Sequence, residues 1–483
     1  MSKFQIKIDN FLGGFAPAWY NQGTYPAYGN KNQAGVMVNA DLTNPNYLTQ
    51  GPGLASLTNG TQAGAVTTLI KGATDLAVSS AVAFGIGGNT LYKFSSTAVI
   101  DDATWPVTID KAAVTGEDGE DVAYYKGALY YSYNHSGSAG DIGKYDLAST
   151  FDHDWGSTVP SGMAALQNAP HPFEVGGNDV LYMANGLYVL SYDGTTLIPQ
   201  ALDLPTDTII RDIKWVNDRL WILANRPNTT GSNKNACSLY VWDGTQTSWE
   251  LEIKLMGTGG ALHYKNGVLF VFYSDISSTG GFKLGYVSGN GIVDVANFTG
   301  ALPDFYQVTD YLDFILWNAN GSLWAFGSGD KDLPTRLFQI ADGGHANVGC
   351  VVAPFGTPII ASWDAGSNYR LAKFSGYDVT SSWKSLMFDI TGDSKNGGMI
   401  DSVRINFETL TTGARVDWKL LDNNGRTIYS DIISFAKLGA VTTAYYPIKK
   451  GTENFRIEFD YANGDTTNTV KIKSCAIYGD STQ

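Results

Sequence analysis

The sequence predicts an all-β chain: a six- or seven-bladed β-propeller with an extended N-terminal arm and a C-terminal β-sandwich. Three observations carry this. One phrase recurs about seven times between residues 66 and 380: an apolar strand with Leu-aromatic, a turn, then a second strand ending in an aromatic before Asp-Gly or a Gly/Ser turn. Long helical periodicity is hard to find, and only Ser161–Asn168 reads as a short helix. Beyond residue 391 the repeat gives way to evenly alternating strands.

The arm covers residues 1–50. Periodicity is absent there, yet Phe11, Phe15, Trp19, Tyr20, Tyr25 and Tyr28 are not the residues of a solvated tail. An aromatic stretch punctuated by Gly and Pro buries itself against something. It either straps the chain's own domain or clasps a neighbouring subunit, and these six aromatics are the candidate subunit-interface residues.

The propeller covers residues 51–390. Its clearest repeats are Val180–Thr195 and Ser238–Thr245, and the closing aromatics fall near Tyr92, Tyr145, Tyr192, Tyr240, Tyr286, Phe338 and Phe374. Spacings of about 35–55 residues suit four-stranded blades. Asn-Gly between apolar strands, at 185–186, 266–267 and 320–321, is the strongest short hairpin signal. The blade count stays at six or seven, because 51–66 and 375–390 could close one blade together.

The sandwich covers residues 391–483. Gly392–Gly398 reads as a linker, followed by strands at Ile400–Phe407, Ala414–Leu421, Thr427–Ile433, Ala444–Ile448, Phe455–Tyr461 and Val470–Tyr478. Each alternates apolar and polar residues, so each buries one face.

Composition bounds the function. Charged residues are 16% and aromatics 13% of the chain, which describes short strands and tight turns and excludes disorder. The net charge of −14 makes the chain a poor non-specific binder of nucleic acid. Cys237, Cys350 and Cys475 are far apart and odd in number, so neither a disulfide framework nor zinc spacing is present. The N-terminus lacks the apolar core of a signal peptide, so synthesis in the host cytoplasm is expected. No apolar run reaches the length of a membrane span.

Chemistry-bearing motifs are sparse. Trp242–Trp249 resembles a sialidase Asp-box turn, but its spacing is wrong, and the nine arginines are scattered. Asp152-His153-Asp154 is a metal-ligand candidate that reads better as a solvated turn. The Gly116–Asp121 run, with Glu117, Asp118, Glu120 and Asp121, reads as a solvated acidic loop with weak calcium binding as the alternative. Glycosidase-type carboxylate pairing needs a separation that sequence does not give. The five histidines share no motif, and nucleophile elbow, His-Glu-X-X-His and P-loop are all missing. The expectation is a non-enzymatic chain with no cofactor and no assigned metal.

The aromatic strap, the loose Tyr-Asp-Gly-Thr blades and the terminal sandwich together resemble structural tail proteins of tailed bacteriophages that carry a β-propeller, of the nozzle and hub class. Gly13–Tyr20 and Leu48–Leu54 suit the arm that such proteins lay out first. The resemblance implies a virion tail component. It would form a homo-oligomeric ring with other tail proteins, with passing contact to genomic DNA in a channel. The alternative is a propeller on the virion surface that binds a host glycan or receptor.

Overall fold

In the computed structural model the described residues are 2–9, 11, 34–56, 66–74, 81–87, 90–94, 107–109, 117–135, 138–147, 150–158, 166–167, 169–226, 236–274, 281–319, 321–328, 336–342, 347–352, 359–363, 369–389 and 397–481. Seven four-stranded antiparallel sheets follow one another along the chain. Each runs outward from its first strand. The seven inner strands, Val66–Thr74, Glu117–Tyr125, Phe173–Val175, Ile209–Val216, Gly259–Lys265, Val308–Tyr311 and Asn347–Val352, touch in sequence, and the last returns to the first. The ring is a closed, seven-bladed propeller.

Closure settles the blade count. The outer strand of blade seven is Pro52–Ser56, which pairs with Tyr369–Tyr377. The N-terminal side of the chain therefore completes the last blade. The segment after it goes elsewhere: Ser382–Ser385 joins the sandwich.

Local chemistry explains the hairpins. Asn266 and Gly267 sit at φ 50° and 81°, and Asn217 and Asp218 at 48° and 59°, the two left-handed residues of a type I′ turn. The repeat aromatics mark the third strand of each blade, except Phe338, which lies on the fourth strand of blade six. There the third strand carries Trp324 and Phe326 instead. Of the expected helix at 161–168, residues 161–165 and 168 lie outside the described set. Leu166 bridges to Gly140, and a four-residue helix forms at Trp155–Thr158 instead.

The propeller core lies between blades. Tyr182, Ala184 and Val189 of blade three pack on Ile210, Ile213, Tyr240 and Trp242 of blade four. Each fully buried apolar side chain contributes roughly 1.5–3 kcal/mol, so each seam is a substantial source of stability.

The sandwich has two sheets. One is ordered Ser2–Ile8, Ile472–Ser481, Gly398–Phe407, Thr443–Thr452. The other is ordered Ala34–Val38, Ser382–Ser385, Asn454–Asp460, Arg415–Leu421, Thr427–Ser434, with Phe388–Asp389 also on Asn454–Asp460. All six expected strands are present, but two parts of the arm and the segment 382–389 join them. Ser2–Ile8 and Ala34–Val38 each occupy an edge, one on each sheet.

A continuous apolar core crosses from Leu316, Phe338 and Ile340 of blade six to Trp383, Trp418 and Phe459 of the sandwich. The junction is two crossing segments. Tyr377 N–H donates to Thr466 O at 2.8 Å, Asp378 N–H to Gly51 O at 2.9 Å, and Asn39 Nδ2 to the Thr380 hydroxyl at 2.6 Å. A Cβ at Gly51 would meet Ile340 O at 2.3 Å and Asn39 O at 2.4 Å, so only glycine fits this crossing. Among the described residues no helix is long and apolar enough to cross a membrane.

Candidate functional site at the propeller axis

The inner strands are bulged at matching places. Pairing skips Glu120 in blade two, Arg211 in blade four and Gly260 in blade five. A bulge leaves one residue out of the ladder and re-aims its side chain. Arg211 is re-aimed toward Asp304, which lies in the connection between blades five and six; Glu120 is close enough for the charges of both to act on its carboxyl.

That connection reaches over the axis. The 3₁₀ turn Phe305–Gln307 packs against the inner strands of blades five, seven and one. Its approach needs Gly260, because a Cβ there would meet Pro303 O at 2.3 Å. Gln307 holds the turn: its N–H donates to Asp304 O at 2.9 Å, and its Oε1 accepts Asp304 N–H at 3.0 Å. Arg211 Nη2 donates to Asp304 Oδ1, and the Tyr306 hydroxyl donates to Asp304 Oδ2 at 3.3 Å. Arg211 Nε is buried with no hydrogen-bond partner. The Arg211 and Asp304 side chains are 27% and 31% exposed, so the mouth is open to solvent.

Burial pushes the Glu120 carboxyl up to about 7, with Asp121 and Asp304 adding to it and Asn134 and Arg211 opposing it. Asn134 Nδ2 donates to Glu120 Oε1 at 2.6 Å. Burial, then Asp304 and Glu120, raise the Tyr306 hydroxyl, which stays protonated. At neutral pH Glu120 therefore both donates and accepts, while Tyr306 keeps its proton.

Below the mouth three carboxylates bind blade to blade. Asp121 Oδ2 accepts Phe173 N–H at 2.7 Å, Glu174 Oε1 accepts Trp215 N–H at 2.9 Å, and Asp212 Oδ2 accepts Leu262 N–H at 2.6 Å. Lys214 Nζ lies 3.5 Å from Glu174 and 3.6 Å from Asp212. Burial opposes charge on Lys214, yet Asp212, Glu174 and Asp121 prevail and raise its pKa.

The acidic run is no solvated loop: 117–125 is the inner strand of blade two, with Asp121 only 7% exposed. The N–H groups of Phe173 and Val122 donate to Asp121. No group of three or more His, Cys, Asp or Glu able to hold a metal occurs among the described residues. His153 stacks on Tyr133 with centroids 4.6 Å apart, and the Tyr133 hydroxyl donates to Asp154 at 3.2 Å. Phe11 is 3% exposed and packs edge-on against Trp383 at 5.0 Å. Its side chain is spent on its own sandwich and offers no surface to a neighbour. Phe15, Trp19, Tyr20, Tyr25 and Tyr28 lie outside the described residues. Arg211, Asp304 and Tyr306 carry no sequence signal, since the fold alone brings them to Glu120.

No family model matches the chain, and no curated protein matches it. Solved structures share its architecture at low identity. A chain of the mitotic checkpoint complex is 11% identical with a TM-score of 0.43, covering 70% of this chain and 99% of that one. An exo-β-1,3-galactanase from Phanerochaete chrysosporium is 9% identical with a TM-score of 0.30, covering 66% and 98%. A glycoside hydrolase family 43 arabinoxylan arabinofuranohydrolase from Bacillus subtilis is 11% identical with a TM-score of 0.29, covering 93% and 96%. The expectation of a non-enzymatic chain is corrected by this finding: two of the three are enzymes.

Proposed function

We propose that the chain is a structural subunit of a bacteriophage tail, a nozzle/hub-like or tail-ring component. It assembles with copies of itself and other tail proteins around the DNA path. One observation supports this beyond the resemblance: the apolar core runs unbroken from blade six into the sandwich. Domains of one chain ordinarily move relative to one another unless a large apolar interface joins them. Here they form one rigid strut, the mechanical property a ring subunit needs. The net charge of −14 suits a wall along which DNA must slide without sticking.

The test is tail assembly. Particles made without this protein should lack a complete tail, and supplying the protein should restore it. Complete, infectious tails in its absence would refute the reading. The five arm aromatics outside the described residues are the expected contacts. Substituting Trp19, Tyr20, Tyr25 and Tyr28 by Ser together should block assembly without unfolding the protein.

A second reading, a propeller that binds a carbohydrate or host receptor on the virion surface, is favoured by the mixed donor and acceptor groups at the axis.

A further inference from the structure

We propose that the axial mouth binds a neutral, hydroxyl-rich ligand, a sugar ring, held between Arg211, Asp304, Tyr306 and Glu120. This deepens the carbohydrate reading above and does not depend on the tail role.

The placement is built rather than incidental. Two bulges in two different blades take Glu120 and Arg211 out of the ladder, Arg211 bonds the connecting loop at Asp304, whose charge also acts on Glu120, and a third bulge, at Gly260, admits that loop. Bulges of this kind recur beside binding sites because they turn a side chain out of the ladder. The second observation is the Arg211 guanidinium. One edge is held by Asp304, while its buried Nε has no partner. A buried donor left unmade is destabilising, and a ligand acceptor reaching it removes that cost.

Charge decides the ligand class. An anion would meet Asp304 and the Glu120 carboxyl. A cation would meet Arg211, already neutralised in part by Asp304. A hydroxyl both donates and accepts. The mouth offers a donor at Arg211 Nε, acceptors at Asp304 and at the Tyr306 hydroxyl oxygen, whose proton is held by Asp304, and a group of either kind at Glu120. The rings of Phe305 and Tyr306 pack edge-on with centroids 5.1 Å apart and stay partly exposed, which gives a sugar's apolar face something to lie on.

The experiment uses the full chain. Free D-glucose, D-galactose, D-mannose and L-arabinose are titrated by saturation-transfer NMR, and oligosaccharides are screened on a glycan array. At least one sugar should bind saturably. Arg211→Gln and Asp304→Asn should each weaken it at least tenfold, and the milder Tyr306→Phe by several-fold with an unchanged melting temperature. No binding in either format overturns the proposal, as does binding that Arg211→Gln and Tyr306→Phe leave unchanged. Tighter binding of inorganic phosphate or methylammonium than of any sugar also overturns it. Tail assembly is read on particles, so failure of either reading leaves the other standing.

Discussion

The Asp121 carboxylate, on the inner strand of blade two, accepts the backbone N–H of Phe173 on the inner strand of blade three at 2.7 Å. Its other oxygen accepts Val122 N–H on its own strand at 2.8 Å. Asp212 repeats the arrangement between blades four and five, with Leu262 N–H at 2.6 Å and Ile213 N–H at 2.8 Å. In both cases the aspartate follows the bulged residue, Glu120 or Arg211. One backbone irregularity therefore serves two ends: it turns a charged side chain to the mouth and frees a carboxylate to join the next blade.

Asp212→Asn should destabilise the protein by about 2–4 kcal/mol in urea unfolding. The amide keeps one acceptor for two buried N–H groups, and Lys214 loses a charge partner. Asp121→Asn should act similarly, since it too leaves one acceptor for two N–H groups. A cost under about 0.5 kcal/mol for both would mean the seams hold by apolar packing alone.

Glu120→Gln should stabilise the protein at pH 8 and do little at pH 4.5. The folded carboxyl titrates near 7 and the unfolded one near 4.5. Both states hold the proton at low pH, so no difference arises there. As pH climbs from 4.5 to 7 the unfolded chain ionises first and native stability falls, then levels off. The gain at pH 8 is at most roughly 3 kcal/mol. Thermal melts of both proteins from pH 4.5 to 8 check this, and parallel curves would reject it.

His171 acts at the acid end. It is fully buried, and Nε2 donates to Gln167 O at 2.9 Å while Nδ1 has no partner. Burial pulls its pKa down to about 4, against 6.5 when unfolded. The unfolded chain takes up the proton first, so stability is lost as pH falls from 6.5 towards 4, by roughly 3 kcal/mol. Proton NMR of the His171 ring should show no titration above pH 5. A midpoint near 6.5 would mean the imidazole reaches water.

The sequence carried the local rules well and the long-range ones poorly. Asn266-Gly267 names its own turn, and the alternation of Val403, Ile405 and Phe407 names a half-buried strand. Glu120, Arg211 and Asp304 share no local pattern, because their meeting depends on bulges and on ring closure. Glu120 and Asp121 look like a solvated acidic loop until the inner strand buries them. The arm was legible only in part, for a similar reason. Its aromatics announce burial, but only strand pairing shows that Ser2–Ile8 lies on Ile472–Ser481 and Ala34–Val38 on Ser382–Ser385.

The shared core predicts that propeller and sandwich melt together. Calorimetry should give a single transition, and Gly51→Ala should lower it sharply, since the added Cβ would press on the backbone of Ile340 and Asn39. The cost is expected to exceed about 3 kcal/mol, as for overpacking against atoms that cannot move aside. Two resolved transitions in the wild type would show that the junction transmits little, and the rigid-strut argument would fall with it.

Phe11 separates the two halves of the arm. Its ring lies 5.0 Å from Trp383 and 6.2 Å from Phe459, edge-on to both, inside the sandwich core. Phe11→Ala should cost about 3–5 kcal/mol, as for other buried aromatics cut to Ala, and should loosen Ser2–Ile8 from the Cys475 strand. Trp19→Ser tests the other half: an interface role there predicts unchanged urea stability and impaired assembly. A stability loss at Trp19 matching that at Phe11 would instead place it in the chain's own core, and the clasping arm would be rejected.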